Sequence, residues 1–106
     1  MKPKLLLAAA SLFCALNAWA DEGQLNIICS AQGDWCTMAQ IAFAKSTGVK
    51  VNMVQKSTGE ALAQILAERS NPKTDVWFGG TGDPHMLAAE QELTLEYKSP
   101  TLSHLQ

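Results

Sequence analysis

Residues 75–84 read Asp-Val-Trp-Phe-Gly-Gly-Thr-Gly-Asp-Pro, and no other stretch constrains the fold of this chain as strongly. Val76, Trp77 and Phe78 form an apolar run of strand length. Gly79, Gly80 and Gly82 supply a turn with backbone angles closed to other residues, and Asp83-Pro84 matches a helix N-cap with proline at the first helical position. Such a unit sets backbone N–H groups and the positive end of a helix dipole at the carboxyl end of a strand, where open α/β sheets hold ligands. Gly-Gly turns also occur for steric reasons alone, so this loop gains meaning only if other turns join it.

Two similar units precede it. Residues 25–29 (Leu-Asn-Ile-Ile-Cys) have strand composition, and the turn Ser30-Ala31-Gln32-Gly33 leads to Asp34, the expected cap of a helix that reaches about Ser46 and stops at Thr47-Gly48. On that helix Trp35, Met38, Ile41 and Ala42 recur at helical spacing and are expected in the core. Residues 49–55 alternate Val49, Val51 and Met53 with Lys50, Asn52 and Gln55, which predicts a strand with one wet face at a sheet edge. Ser57-Thr58-Gly59-Glu60 fits a capping box and opens a helix striped by Leu62, Ile65 and Leu66, which Asn71-Pro72 ends. The helix from Pro84 is expected to reach about Glu90, and residues 93–97 and a Ser99-Pro100 helix start follow.

The order β-α-β-α-β-α, joined by right-handed crossovers, predicts an α/β fold with a parallel three-stranded sheet in the order 2-1-3. All three strand-to-helix turns then share one sheet edge. The candidate ligand-binding residues are those the turns bring there: Ser30, Gln32, Ser57, Thr58, Gly59, Gly80 and Thr81. A sheet that stops at the third strand leaves Trp77 and Phe78 on an open edge over a marginal core, so the chain reads as part of something longer.

At the N-terminus Lys2 and Lys4 precede an apolar run that closes on Ala18-Trp19-Ala20, the pattern of a secretory signal peptide over residues 1–20 with cleavage before Asp21. A lipoprotein anchor at Cys14 is disfavoured because Phe13, a large residue, precedes it. Loss of the leader takes Lys2 and Lys4 with it, so the 10 acidic side chains outnumber the remaining basic ones and nucleic acid is not an expected partner. Cys29 and Cys36 remain, and an even count in an exported chain reads as a disulfide.

Taken in order, several segments resemble a known family. They are Leu25-Asn-Ile-Ile-Cys-Ser-Ala-Gln-Gly-Asp-Trp-Cys36, Thr47-Gly48-Val49-Lys50-Val51, Lys56-Ser57-Thr58-Gly59-Glu60-Ala61-Leu62-Ala63, the 75–84 stretch with His85, and Tyr97-Lys98-Ser99-Pro100. They look like the N-terminal part of a bacterial periplasmic solute-binding protein of the ferric-iron and phosphonate type, the capture component of an ABC importer. The resemblance implies two α/β lobes hinged around a ligand cleft, with residues 21–106 as the opening of the first lobe. It also implies a periplasmic location, an inner-membrane ABC permease as partner, and neither enzymatic activity nor a cofactor. Iron-binding members place a histidine where this chain has Gln32 and a glutamate where it has Gly80, while tyrosine ligands would come from the second lobe. Hydroxyl and N–H donors suit a phosphonate, phosphate or carboxylate better than ferric ion, which remains the alternative cargo.

A thiol-redox protein using Cys29 and Cys36 is the rival from another class. Six residues rather than two separate the cysteines, and none of the six is basic. A hydrolase is not supported either, because Ser30 and Ser57 lie in no nucleophile elbow. His85 is expected in the first turn of its helix, solvated or supporting the site rather than ligating metal; His104 lies near the chain end. The exported product is expected to begin at Asp21 and to carry the Cys29–Cys36 bond. Intact mass of periplasmic material checks both, and two free thiols or a different first residue would contradict the respective expectation.

Overall fold

The structure, a computed structural model, describes residues 23–105; the expected leader, Cys14 and the cleavage point before Asp21 lie outside the described residues. The elements are β1 (Gln24–Cys29), α1 (Gly33–Thr47), β2 (Lys50–Gln55), α2 (Thr58–Ala67), β3 (Val76–Phe78) and α3 (Gly82–Glu90), followed by a 3-10 turn at Leu102–His104. The strands form one parallel sheet in the order β2-β1-β3, the α/β arrangement expected from the sequence. Ile28 of β1 pairs with Val54 and Trp77, and Cys29 with Gln55 and Phe78. The crossovers from β1 to β2 and from β2 to β3 run in opposite directions across the sheet and put α1 on one face and α2 on the other, with α3 beside α2. The gap between the carboxyl ends of β1 and β3 is therefore the topological switch point.

The core is small. Ile28, Cys29, Cys36, Val51, Ala61 and Ala88 are buried. A disulfide joins Cys29 at the end of β1 to Cys36 in the first turn of α1, with Cα atoms 5.9 Å apart. In the loop-entropy account so short a ring contributes at most about 2.5 kcal/mol. Gly48 ends α1 with φ of 73° and donates its N–H to the Ala44 carbonyl, a conformation that suits glycine.

Two helix starts differ from expectation. The N-cap of α1 is Gln32 rather than Asp34, and that of α3 is Thr81 rather than Asp83; neither side chain forms a capping bond. The disulfide draws Cys36 to the sheet, and its N–H donates to the Gln32 carbonyl, which forces the first turn to begin at Gly33. Thr81 is held extended by its own N–H bond to Thr58 Oγ1, so α3 begins directly after it. Asp34 and Asp83 fall in the first turns, where a carboxylate still complements the dipole.

The expected core stripe of α1 is on the wrong side. Trp35, Met38 and Ile41 are 61%, 65% and 61% exposed, and Ala42 is also exposed. Cys36 and Gln40 face the sheet instead, Gln40 donating from Nε2 to the Val51 carbonyl at 2.9 Å, with Ala39 and Ala44 half-buried. Two apolar stripes share α1, and the disulfide together with the Gln40 bond selects the one with smaller side chains. A helix apolar on both sides belongs between two layers.

Glu68, just past α2, organises the return to β3. Its carboxylate accepts from Gln64 Nε2 at 2.9 Å, Thr74 Oγ1 at 2.9 Å, Thr74 N–H at 3.1 Å and Lys73 N–H at 3.4 Å. Partial burial disfavours its charge, but these bonds outweigh that and hold the carboxyl below the usual glutamate range. Glu60 is lowered too, first by the Ser57 hydroxyl. A folded-state pKa below the unfolded value contributes stability above the ordinary glutamate range, and that contribution is lost as pH falls through the depressed value. Denaturation midpoints should therefore drop between about pH 5 and pH 3. Glu68→Gln should lower the midpoint at neutral pH and flatten that acid limb; an unchanged acid limb would show that Glu68 does not govern it.

Candidate functional site

The ladder of hydrogen bonds continues past the strand ends. Ser30 N–H donates to the Phe78 carbonyl at 2.8 Å, and Lys56 N–H donates to the Cys29 carbonyl at 3.0 Å, so the first turn is held between the second and third. Gly79 and Gly80 have φ of 80° and 93°. A Cβ on Gly79 would stand 2.9 Å from the Ala31 Cβ; one on Gly80 would stand 2.6 Å from Thr58 Oγ1 and 3.0 Å from the Ser30 Cβ. Glycine is required at both positions by angle and by space. Gly82, also expected to need its freedom, starts α3 at an ordinary helical conformation with nothing within 4 Å.

Ser30, Thr58, Gly80 and Thr81 are thus gathered on one ledge at the switch point. Thr81 N–H donates to Thr58 Oγ1 at 3.4 Å. Gly59 follows Thr58 in the first turn of α2, and among the described residues the N–H groups of Thr58 and Gly59 have no acceptor. Ser57 is differently engaged: its hydroxyl accepts from Glu60 N–H at 3.3 Å and donates to Glu60 Oε2 at 2.9 Å, while its own N–H donates to that carboxylate at 3.1 Å. It caps its helix. Gln32 is exposed, and its side chain makes no hydrogen bond among the described residues.

Three residues outside the sequence-derived set support the ledge. Trp77 donates from Nε1 to Ser30 Oγ at 2.9 Å. The His85 ring stacks on the indole, centroids 3.8 Å apart, and its Nε2 lies 2.7 Å from the Gly79 carbonyl. Gln55, the last residue of β2, donates from Nε2 to the Ala31 carbonyl at 3.0 Å. Strand alternation carries the signal for Trp77, since it faces oppositely to Cys29 and so toward α3. Gln55 shows as a polar residue on the face that Val51 buries.

The ledge is open rather than enclosed. A cavity of about 760 Å³ lies beyond the free side of β3, against Val76, Trp77, Leu93 and Tyr97, and a shallower one of about 440 Å³ lies on the exposed stripe of α1. Both mark apolar surface without cover. Neither includes Ser30, Thr58 or Gly80, where the donors are.

No family model matches the chain. A curated protein of Haemophilus influenzae, described only as uncharacterized, is 37% identical over 101 residues, which is 95% of this chain and 28% of that protein. Among solved structures, the periplasmic binding protein P5PA is 38% identical with a TM-score of 0.74 over 77% of this chain and 26% of its own. The periplasmic binding protein AfuA from Actinobacillus pleuropneumoniae, solved with exogenous fructose-6-phosphate bound, is 38% identical with a TM-score of 0.77 over 80% of this chain and 27% of its own. The chain has the fold of part of a periplasmic binding protein. It spans between a quarter and a third of the length of these relatives.

The close approach at Gly80 yields a sharp contrast between two glycines. Gly80→Ala should destabilise the oxidised chain by about 1–3 kcal/mol, because a Cβ would meet Thr58 Oγ1 at a φ that side chains avoid. Gly82→Ala, with open space, should cost less than about 0.5 kcal/mol. Chemical denaturation of both variants is the check, and equal losses would contradict the convergence of the turns.

Proposed function

We propose that this chain is part of the first lobe of a periplasmic solute-binding protein, which captures a small anionic, phosphate-bearing solute and delivers it to an inner-membrane ABC permease. The supporting observation is the ledge itself. Two hydroxyls, of Ser30 and Thr58, flank a turn that admits only glycine, beside the N–H groups that open α2. Hydroxyl and N–H donors at a helix N-terminus suit the oxygens of a phosphate or phosphonate, whereas ferric ion prefers anionic oxygen ligands. The resemblance to a protein solved with fructose-6-phosphate favours a phosphorylated solute within that class. The role is capture without chemistry at the solute, in the periplasm, after removal of the leader at residues 1–20.

Within this reading Thr58, Gly59, Gly80 and Thr81 hold the oxyanion with Ser30, Gln32 lines the rim, and Ser57 positions the helix. The remaining lobe closes over the solute, so this chain alone provides half a cleft and binds weakly.

A two-lobed hybrid tests the proposal: this chain continued by the sequence that follows the matched segment of the Haemophilus influenzae relative. Calorimetric titration should show binding of fructose 6-phosphate, inorganic phosphate or a phosphonate, weakened about tenfold or more by Thr58→Ala. Ser57→Ala should cost about 1 kcal/mol of stability and leave affinity nearly unchanged. Tight ferric citrate binding that survives Thr58→Ala, without response to any phosphorus oxyanion, would replace this assignment with iron.

A further inference from the structure

We propose that Trp77 is a positioning residue that holds the Ser30 hydroxyl with its proton free to donate to the solute, so that the ledge favours a hydrogen-bond acceptor at that point. This rests on the solute-binding reading above and deepens it.

An indole N–H only donates, and a serine hydroxyl has one proton to give and lone pairs with which to accept. The 2.9 Å contact between Trp77 Nε1 and Ser30 Oγ therefore has one polarity: Ser30 accepts. Its proton is left to point elsewhere, and among the described residues it has no acceptor. Thr58 repeats the logic, since its Oγ1 accepts the Thr81 N–H and its own proton has no acceptor among the described residues. Both hydroxyls flank Gly80, and both are loaded as acceptors from behind.

The indole is itself fixed. His85 stacks on it at 3.8 Å with an interplanar angle of 28°, and the Gly79 carbonyl, which can only accept, requires His85 Nε2 to carry its proton. One short chain of contacts, from the Gly79 carbonyl through His85 and Trp77 to Ser30, joins the third turn to the first. A solute oxygen bearing no proton can accept from Ser30 and Thr58 together. A group that only donates, such as an ammonium, can use only the one lone pair left on each hydroxyl and satisfies neither proton.

The test uses the full exported, oxidised chain in solution NMR with millimolar inorganic phosphate and fructose 6-phosphate as probes, since half a cleft binds weakly. Trp77→Phe identifies the Trp77 indole N–H resonance by its loss and keeps an aromatic ring against His85. Ser30→Ala should move that resonance upfield, and Ser30→Thr, which restores a hydroxyl, should return it. Trp77→Phe should weaken probe binding about three- to tenfold with Ser30 present and less than about twofold on the Ser30→Ala background.

Equal losses on both backgrounds, or an indole resonance indifferent to Ser30→Ala in a chain that binds the probes, would overturn the positioning role alone. A responsive indole in a chain whose Thr58, Gly59 and Gly80 amides ignore both probes would overturn the oxyanion reading, and the donor role with it.

Discussion

The approach of Gly80 to Ser30 and Thr58 is the constraint on which the site depends. Three turns from separate βα units meet at the end of β1, and they can do so only where the third turn has no side chain, since a Cβ there would sit 2.6 Å from Thr58 Oγ1. Everything else at the ledge follows from that contact. Thr81 reaches Thr58, α3 starts directly after Thr81, and His85 in its first two turns comes within reach of both the Gly79 carbonyl and Trp77. The parallel order β2-β1-β3 supplies the frame by setting the second and third turns on either side of the first.

The frame is stabilised unevenly. On the α1 side the disulfide and the Gln40 bond hold the helix to β1 and β2, but Val76 and Phe78 on the same face of β3 are 41% and 40% exposed. The outward stripe of α1 is barer still. Apolar area of this kind contributes to stability only when removed from water, at roughly 25 cal/mol per Å². The buried set, dominated by cysteine, alanine and single β-branched residues, leaves most of that contribution unrealised among the described residues. This fits a chain that spans about a quarter of its structural relatives, in which further layers have room to cover α1 and the free edge of β3.

Much of the fold was legible because local signals agreed with one another. Alternation in 49–55, the capping box at Ser57 and Glu60, and the Gly48 stop each match the element found. Sheet order followed from crossover handedness once three strands were recognised. The face of α1 was not legible. Two apolar stripes compete there, and the larger side chains of Trp35, Met38 and Ile41 outweigh Cys36, Ala39 and Ala44 in any reading by hydrophobicity, whereas the covalent bond at Cys36 decides the outcome. The two caps were misplaced for a related reason: Asp34 and Asp83 have the right chemistry, but tertiary bonds at Cys36 and Thr81 set where the helices begin. At the ledge, Ser30, Thr58 and Gly80 are readable as turn residues, Trp77's face from strand alternation and His85 as a residue supporting the site, but the partners of Trp77 and His85 are not, since those contacts exist only across 47 residues of separation or between rings.

The two ends of the sheet differ in the donors they leave free, which is why the proposed solute site lies at only one of them. At the amino end the polar groups satisfy one another: Asn26 N–H donates to Asp75 Oδ2 at 2.7 Å, its side-chain amide donates to the Lys73 carbonyl at 3.0 Å, and Asn52 donates to Asn26 Oδ1 at 3.1 Å. That network closes the gap left where β3 begins later than β1 and leaves those donors engaged within the chain. At the carboxyl end the internal bonds run the other way, loading Ser30 and Thr58 as acceptors and leaving their protons, with the Thr58 and Gly59 N–H groups, without acceptors among the described residues. Unpaired donors are tolerable there while water reaches them, but each becomes costly when a closing lobe excludes water. Under the proposed solute-binding role, closure over an empty ledge would be disfavoured by the same groups that would favour closure over an oxyanion, tying capture to the presence of the solute.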